Sequence, residues 1–170
     1  AVTGGLEDVV PLTPLQRGMY FLSGLDEDGV DVYTMQSVLD LDGVIDTVLL
    51  RRSISRLIER HAVLRTGFRI SASGVPIGAV ATAVETPFEV IDLSADADPA
   101  GRADAFVESD RVDRFAADTA PLVRFRLLQL SDDRSRLVFT AHHLVLDGWS
   151  TPLLVQELFQ IYAAGGDTSG

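Results

Sequence analysis

Two runs of alternating residues, Val123 to Leu130 and Arg136 to His143, are separated by little more than Asp132-Asp133, and that spacing makes a β-hairpin the local solution. In the first run Val123, Phe125 and Leu127 alternate with Arg124, Arg126 and Leu128. In the second, Leu137, Phe139, Ala141 and His143 fall on one side and Val138, Thr140 and His142 on the other. The two adjacent histidines therefore face opposite ways and cannot share a task. Asp147-Gly148 follows in a strand-to-helix connection, where an aspartate can hold a neighbouring cation and a glycine lets backbone come close to a ligand.

The rest of the chain alternates helical and extended patterns. Thr13-Pro14-Leu15-Gln16 is a helix start: Thr13 as N-cap, proline at the first helical position, and Gln16 completing a capping box, with Leu15, Met19 and Leu22 sharing a face. Tyr33 to Asp42 has the period of a half-buried strand, Met35, Ser37, Leu39 and Leu41 on one side, ended by Gly43. Asp46 caps a second helix running to His61, with Leu50, Ile54, Leu57 and Ile58 at helical spacing. Short strands are expected over Val63 to Ile70, Val75 to Ala81 and Phe88 to Leu93, the first two joined by the turn Ser71-Ala72-Ser73-Gly74. Asp98-Pro99 opens a helix reaching about Phe115, and Ser150 caps a last helix with Leu154, Leu158, Ile161 and Tyr162 as its apolar stripe.

Composition then narrows the function. With 170 residues, 46% of them hydrophobic, residues 1–170 can build one domain with a core. A net charge of -11 with scattered basic residues argues against nucleic acid as a partner. The absence of cysteine removes disulfides, thiolate metal sites and cysteine nucleophiles, and points to a reducing, cytoplasmic setting. No stretch approaches the length of a membrane span, and Ala1 to Val10 lacks the pattern of a signal peptide.

For the chemistry, the two histidines by themselves are equally compatible with a buried or paired couple of imidazoles. A metal is not expected, because consecutive strand residues point apart and His61 is the only other histidine. His61 itself is read as a satisfied structural imidazole, and Trp149 as a wedge between the last helix and the sheet. A Ser-His-Asp hydrolase would need a nucleophile elbow such as G-x-S-x-G, which is missing.

Three segments, Leu12 to Met19 (LTPLQRGM), Arg60 to Phe68 (RHAVLRTGF) and His142 to Ser150 (HHLVLDGWS), resemble in order the early motifs of nonribosomal peptide synthetase condensation domains, and Pro121-Leu122-Val123-Arg124 resembles that family's strand before the histidine motif. The resemblance implies an α/β fold, a chloramphenicol-acetyltransferase-like lobe with a mixed sheet flanked by helices. It also implies amide formation between a donor thioester and an acceptor aminoacyl thioester, each on the phosphopantetheine arm of a carrier protein, with no cofactor bound directly and an adenylation domain as neighbour. By that resemblance His143 is the catalytic histidine, His142 is structural, Asp147 mainly holds local structure, and Gly148 offers backbone polarity near the substrates. Arg65 is the candidate cation for Asp147. The first and third motifs look more like domains that accept a D-configured donor, while an epimerization-domain lobe and a non-catalytic recruitment module are the alternatives. Condensation domains have two such lobes, so the chain is expected to be the N-terminal one, with little activity by itself and with apolar surface left uncovered.

Overall fold

A computed structural model of the chain describes residues 5–24 and 30–166. The elements run β1 (Leu6–Pro11), α1 (Pro14–Ser23), β2 (Thr34–Asp42), α2 (Thr47–Arg60), a 3₁₀ turn (Ala62–Arg65), β3 (Thr66–Ile70), β4 (Pro76–Ala81), β5 (Phe88–Asp92), α3 (Pro99–Val112), β6 (Val123–Ser131), β7 (Arg134–His142) and α4 (Ser150–Ala163). The expected mixed sheet is present: β2-β7-β6-β5, antiparallel except for the parallel pair β5–β6 that α3 bridges. A second, three-stranded antiparallel sheet, β1-β4-β3, stands beside it.

Period-two alternation decides how the large sheet is covered. Phe125, Leu127, Leu137, Phe139 and Ala141 join Leu50, Ile54, Leu57 and Ile58 of α2 and Leu154, Leu158 and Ile161 of α4 in the main core. Phe125 and Phe139 are cross-strand partners with ring centroids 4.8 Å apart, a contact worth about 0.5–1.5 kcal/mol beyond the area it buries. On the other face Leu128 and Val138 pack with Leu93 and with Ala103 of α3. The hairpin β6–β7 is thus sandwiched between helices, and only its turn-end residues Ser131 and Arg134 are exposed in the two strands.

The caps follow the sequence closely. Thr13 and Gln16 form a reciprocal capping box on α1, and the Asp46 carboxylate accepts from the N–H groups of Val48 and Leu49 at 3.0 and 2.9 Å. Three expectations are corrected. The expected face Leu15, Met19, Leu22 does not pack as one: Leu15 and Leu22 are exposed, and α1 has no buried residue. The strand expected from Val63 starts only at Thr66, because the 3₁₀ turn uses residues 62–65 to redirect the chain after α2. Helix α3 stops at Val112 instead of Phe115, whose ring is drawn under Arg124 with the guanidinium carbon 4.4 Å from its centroid.

Candidate active site

Strand β7 pairs with β2 so that His142 lies opposite Thr34, and one residue further the His143 N–H donates to the Tyr33 carbonyl at 2.8 Å. The ladder thus carries the chain to the very position where the two imidazoles diverge. His142 is almost wholly buried. Its Nε2 faces the Asp31 carboxylate at 3.1 Å and its Nδ1 accepts the Leu144 N–H at 3.0 Å. A carboxylate only accepts, so Nε2 holds the hydrogen and the ring is neutral with both nitrogens engaged. Burial pushes the His142 pKa down, against the pull of Asp31. For Asp31, burial pushes up, but the Ser23 hydroxyl, the Tyr33 N–H and the cationic surroundings outweigh it and hold the carboxyl below its ordinary range. Both ring nitrogens of His142 are thus engaged by protein groups.

His143 is half-buried and different in every respect. Its Nδ1 lies 3.2 Å from the Leu146 carbonyl oxygen, which can only accept, so Nδ1 holds a hydrogen and Nε2 is the nitrogen left without a protein partner among the described residues. The carbonyl is fixed because Leu144, Val145 and Leu146 are all buried in the core, anchoring the loop behind the ring. The loop is also fastened from α1: Gln16, whose Oε1 accepts from Thr13 N–H in the capping box, donates its Nε2 to the Leu144 carbonyl at 2.9 Å. His143 opens onto a cavity of about 460 Å³ whose walls come from α1, the 3₁₀ turn, the loop after β7 and α4, with apolar Met19, Val63 and Leu153 and polar Thr13, Gln16, His61, Asp147, Ser150 and Glu157 among its lining. The arrangement leaves one imidazole nitrogen, Nε2, available to whatever enters the pocket.

The remaining candidates sort differently. Asp147 is exposed, and hydrogen bonds from Ser150, its N–H at 2.7 Å among them, hold the carboxyl below its ordinary value. Its side chain and carbonyl take the first orphan N–H groups of α4, so Asp147 performs the capping expected of Ser150, which is instead the first residue of the helix. Arg65 does not pair with Asp147. It is buried between the C-terminal end of α2 and the small sheet, donating to the carbonyls of Ile58 and Ala81 and to Glu7 at 2.5 Å, so its fork ties α2 to β1 and β4. Around Gly148 the space is open, and a side chain there would meet no atom within 4 Å among the described residues. Trp149 is 89% exposed and wedges nothing, because the helix it precedes is already seated by Leu154, Leu158 and Ile161.

Two participants were not visible as such in the sequence. Gln16 carried a signal for its capping role and none for its grip on Leu144, 128 positions away. Glu157 sits one position before Leu158 on the edge of the apolar stripe of α4, and its contact with His61 at 2.7 Å depends on α2 and α4 packing side by side.

A family model described as Condensation domain matches residues 6–169. Chondramide synthase cmdD of Chondromyces crocatus is 36% identical over 159 residues, covering 92% of this chain and 4% of that protein. AMB antimetabolite synthetase AmbE of Pseudomonas aeruginosa is 39% identical over 165 residues, covering 94% of this chain and 8% of that protein. Among solved structures, the first condensation domain of the calcium-dependent antibiotic synthetase, in complex with a substrate analogue, is similar with a TM-score of 0.84 and 27% identity, over 93% of this chain and 38% of that one. The starter condensation domain of rhizomide synthetase RzmA shares the fold, with a TM-score of 0.85, 24% identity and the same coverage of 93% and 38%. The chain therefore spans a few per cent of those synthetases and well under half of the solved domains.

Proposed function

The chain belongs to the condensation-domain family, and from that premise we propose that residues 1–170 are the N-terminal lobe of an enzyme domain that joins a donor acyl thioester to an acceptor amine. The observation that carries the proposal is the setting of His143: a ring oriented through Nδ1 by the Leu146 carbonyl, lining the cavity, with Nε2 unpartnered among the described residues. In that reading the acceptor nitrogen forms its bond to the donor carbonyl carbon while its proton passes to Nε2. The carbon–sulfur bond then breaks, and the proton leaves with the thiolate. The Leu146 carbonyl favours the transient imidazolium by accepting the Nδ1 hydrogen. General-base action of this kind is worth about 10²- to 10⁴-fold, so holding the two thioesters together must supply much of the rest.

The other roles in the proposal are supporting ones. His142 and Asp31 brace the end of β7, Gln16 and Asp147 brace the two sides of the loop, and Arg65 ties the small sheet to α2. Substrates arrive on the phosphopantetheine arms of donor and acceptor carrier proteins, no cofactor is bound directly, and a second lobe and an adenylation domain are the further partners. Exposed Leu15, Leu22, Trp149 and Leu153 supply apolar surface for a second lobe or a substrate arm to cover. The first and third motifs support a donor of D configuration.

The test is amide formation from loaded carriers, followed by mass spectrometry, for this chain, a version extended through a second lobe, and the extended version with His143→Ala. The expected result is product from the extended wild type and at least a 10²-fold loss in the variant. Activity equal to wild type in His143→Ala would overturn the assignment. Carrier binding without product in every protein would favour recruitment instead.

A further inference from the structure

The cavity beside His143 contains a second imidazole, and the two are supported in opposite ways. His143 is backed by a carbonyl oxygen, whereas His61 is backed by a carboxylate, its Nε2 2.7 Å from Glu157 Oε2. His61 ends α2 as its C-cap, Glu157 rises from α4, and Arg60 fixes the other carboxylate oxygen at 3.3 Å. The Glu157 carboxylate accepts the Nε2 hydrogen, so the neutral ring presents its lone pair at Nδ1, which has no hydrogen-bond partner among the described residues. Side-chain exposures of 35% for His61 and 24% for Glu157 leave the ring in reach of both the cavity and water. A carboxylate behind an imidazole stabilises the imidazolium that forms when the far nitrogen takes a proton, an arrangement suited to a base that must hold its proton for a time.

The acceptor needs such a base on the reading given above. An α-amine is largely protonated at neutral pH, and an ammonium nitrogen has no lone pair with which to attack a thioester. A proton must leave before the bond forms, and a second must leave as it forms. His143 accounts for one of the two. We propose that His61, held by Glu157, takes the first: Nδ1 accepts a proton from the acceptor ammonium, giving a free amine and an imidazolium paired with Glu157. The exposed edge of the ring then returns that proton to water. His143 next takes the proton released during attack and delivers it to the departing thiolate, so that each proton has a donor and an acceptor. The inference rests on the proposed amide-forming reaction and adds a second catalytic residue to it.

The titratable and charged groups around this ring are Glu157 from α4, Arg60 from the end of α2, and His143 and Asp147 from the loop; α1 and the 3₁₀ turn line the cavity with uncharged side chains. The test uses the complete two-lobed domain, with His61→Asn, Glu157→Gln and His143→Ala, in single-turnover amide formation across pH. Two acceptors are compared: an aminoacyl carrier, and an aminooxyacyl carrier whose nitrogen is unprotonated at neutral pH. His61→Asn is expected to lose about 5- to 10-fold with the aminoacyl acceptor at pH 7, the factor by which protonation of an α-amine of pKa about 7.7–8.0 depletes the free base there, to recover as pH rises past that pKa, and to lose little with the aminooxy acceptor. Glu157→Gln, which keeps a hydrogen-bond acceptor for Nε2 but removes the charge, should show the same pattern at smaller size. Equal losses with both acceptors, or no loss with either, would overturn the second base. His143→Ala should fail with both acceptors, and its full activity would overturn the underlying reaction instead, so the two failures are distinguishable.

Discussion

The two faces of the large sheet are built from different materials. Towards α2 and α4 the hairpin β6–β7 presents Phe125, Leu127, Leu137, Phe139 and Ala141, an unbroken apolar surface. Towards α3, below Leu128 and Val138, it presents Arg124 and Thr140, which meet Asp110 of α3 and Gln36 of β2, with His142 and Asp31 just beyond. Arg124 reaches three acceptors there, the Asp110 carboxylate at 2.9 Å, the Asp110 carbonyl and the Asp113 carbonyl at 2.7 Å. This division locates where reactivity can reside. The polar face uses its groups on one another, so it specifies geometry and has little left for a ligand. The apolar face satisfies nothing polar, and where it ends, at His143, an imidazole nitrogen is left without a protein partner among the described residues.

Truncation on each face should have the most severe consequences. Phe139→Ala is expected to cost about 3–5 kcal/mol in denaturant unfolding, since it opens a cavity among rigid neighbours. Asp110→Ala should cost about 3 kcal/mol, the low end for an orphaned buried charge, because Asp113 stays within 3.5 Å of Arg124. The faces should differ in rescue. Adding Arg124→Met to Asp110→Leu removes both charges and should restore most of the stability, whereas no second polar change can repair Phe139→Ala. If the double variant is as unstable as Asp110→Ala, the polar face contributes net stability and not only geometry.

A pH series probes the polar face alone. The folded-state pKa of His142 is depressed by burial, so below about 6.5 the unfolded chain binds a proton that the folded chain refuses. Stability should therefore fall as pH drops from about 6.5 towards the depressed value, by at most about 1.4 kcal/mol per pH unit from this group. His142→Gln should flatten that limb of the melting-temperature profile, and an unchanged slope would remove His142 as its source. Asp31, held low in the fold, acts further down, its contribution lost as pH falls below about 3.9. The smallest change belongs to Thr34, whose buried hydroxyl finds no partner among the described residues on the same polar face. Thr34→Val should leave unfolding free energy within about 0.5 kcal/mol of wild type or raise it, measured by the same denaturant titration.

What the sequence made legible was local. The alternation that separates His142 from His143, the capping box at Thr13 and Gln16, the Asp46 cap and the α4 stripe all depend on residues within a few positions of one another, and each is in place. What it concealed was partnership across distance. Arg65 lies 58 positions from Glu7, and its choice of Glu7 over Asp147 depends on β1 lying against β4. The pairing of His61 with Glu157 spans 96 positions, and no periodicity encodes it. The apolar residues of α1 looked like a packing face because pattern shows that a surface is apolar, not whether anything in the same chain covers it.

The pairing of β2 with β7 also governs the order in which the molecule is made. Thr34 waits for His142, roughly a hundred residues later, and every rung between Met35 and Asp42 waits with it. As the chain leaves the ribosome, β2 remains an unpaired strand with Met35, Leu39 and Leu41 on one side while α2, β3, β4, β5, α3 and β6 are synthesised, a stretch in which it is open to a holdase or to misassociation. Among the described strands β7 is the last synthesised, and it ends at His142 with His143 next in the chain. The backbone that carries His142 and His143 is thus fixed only once β7 has paired with β2.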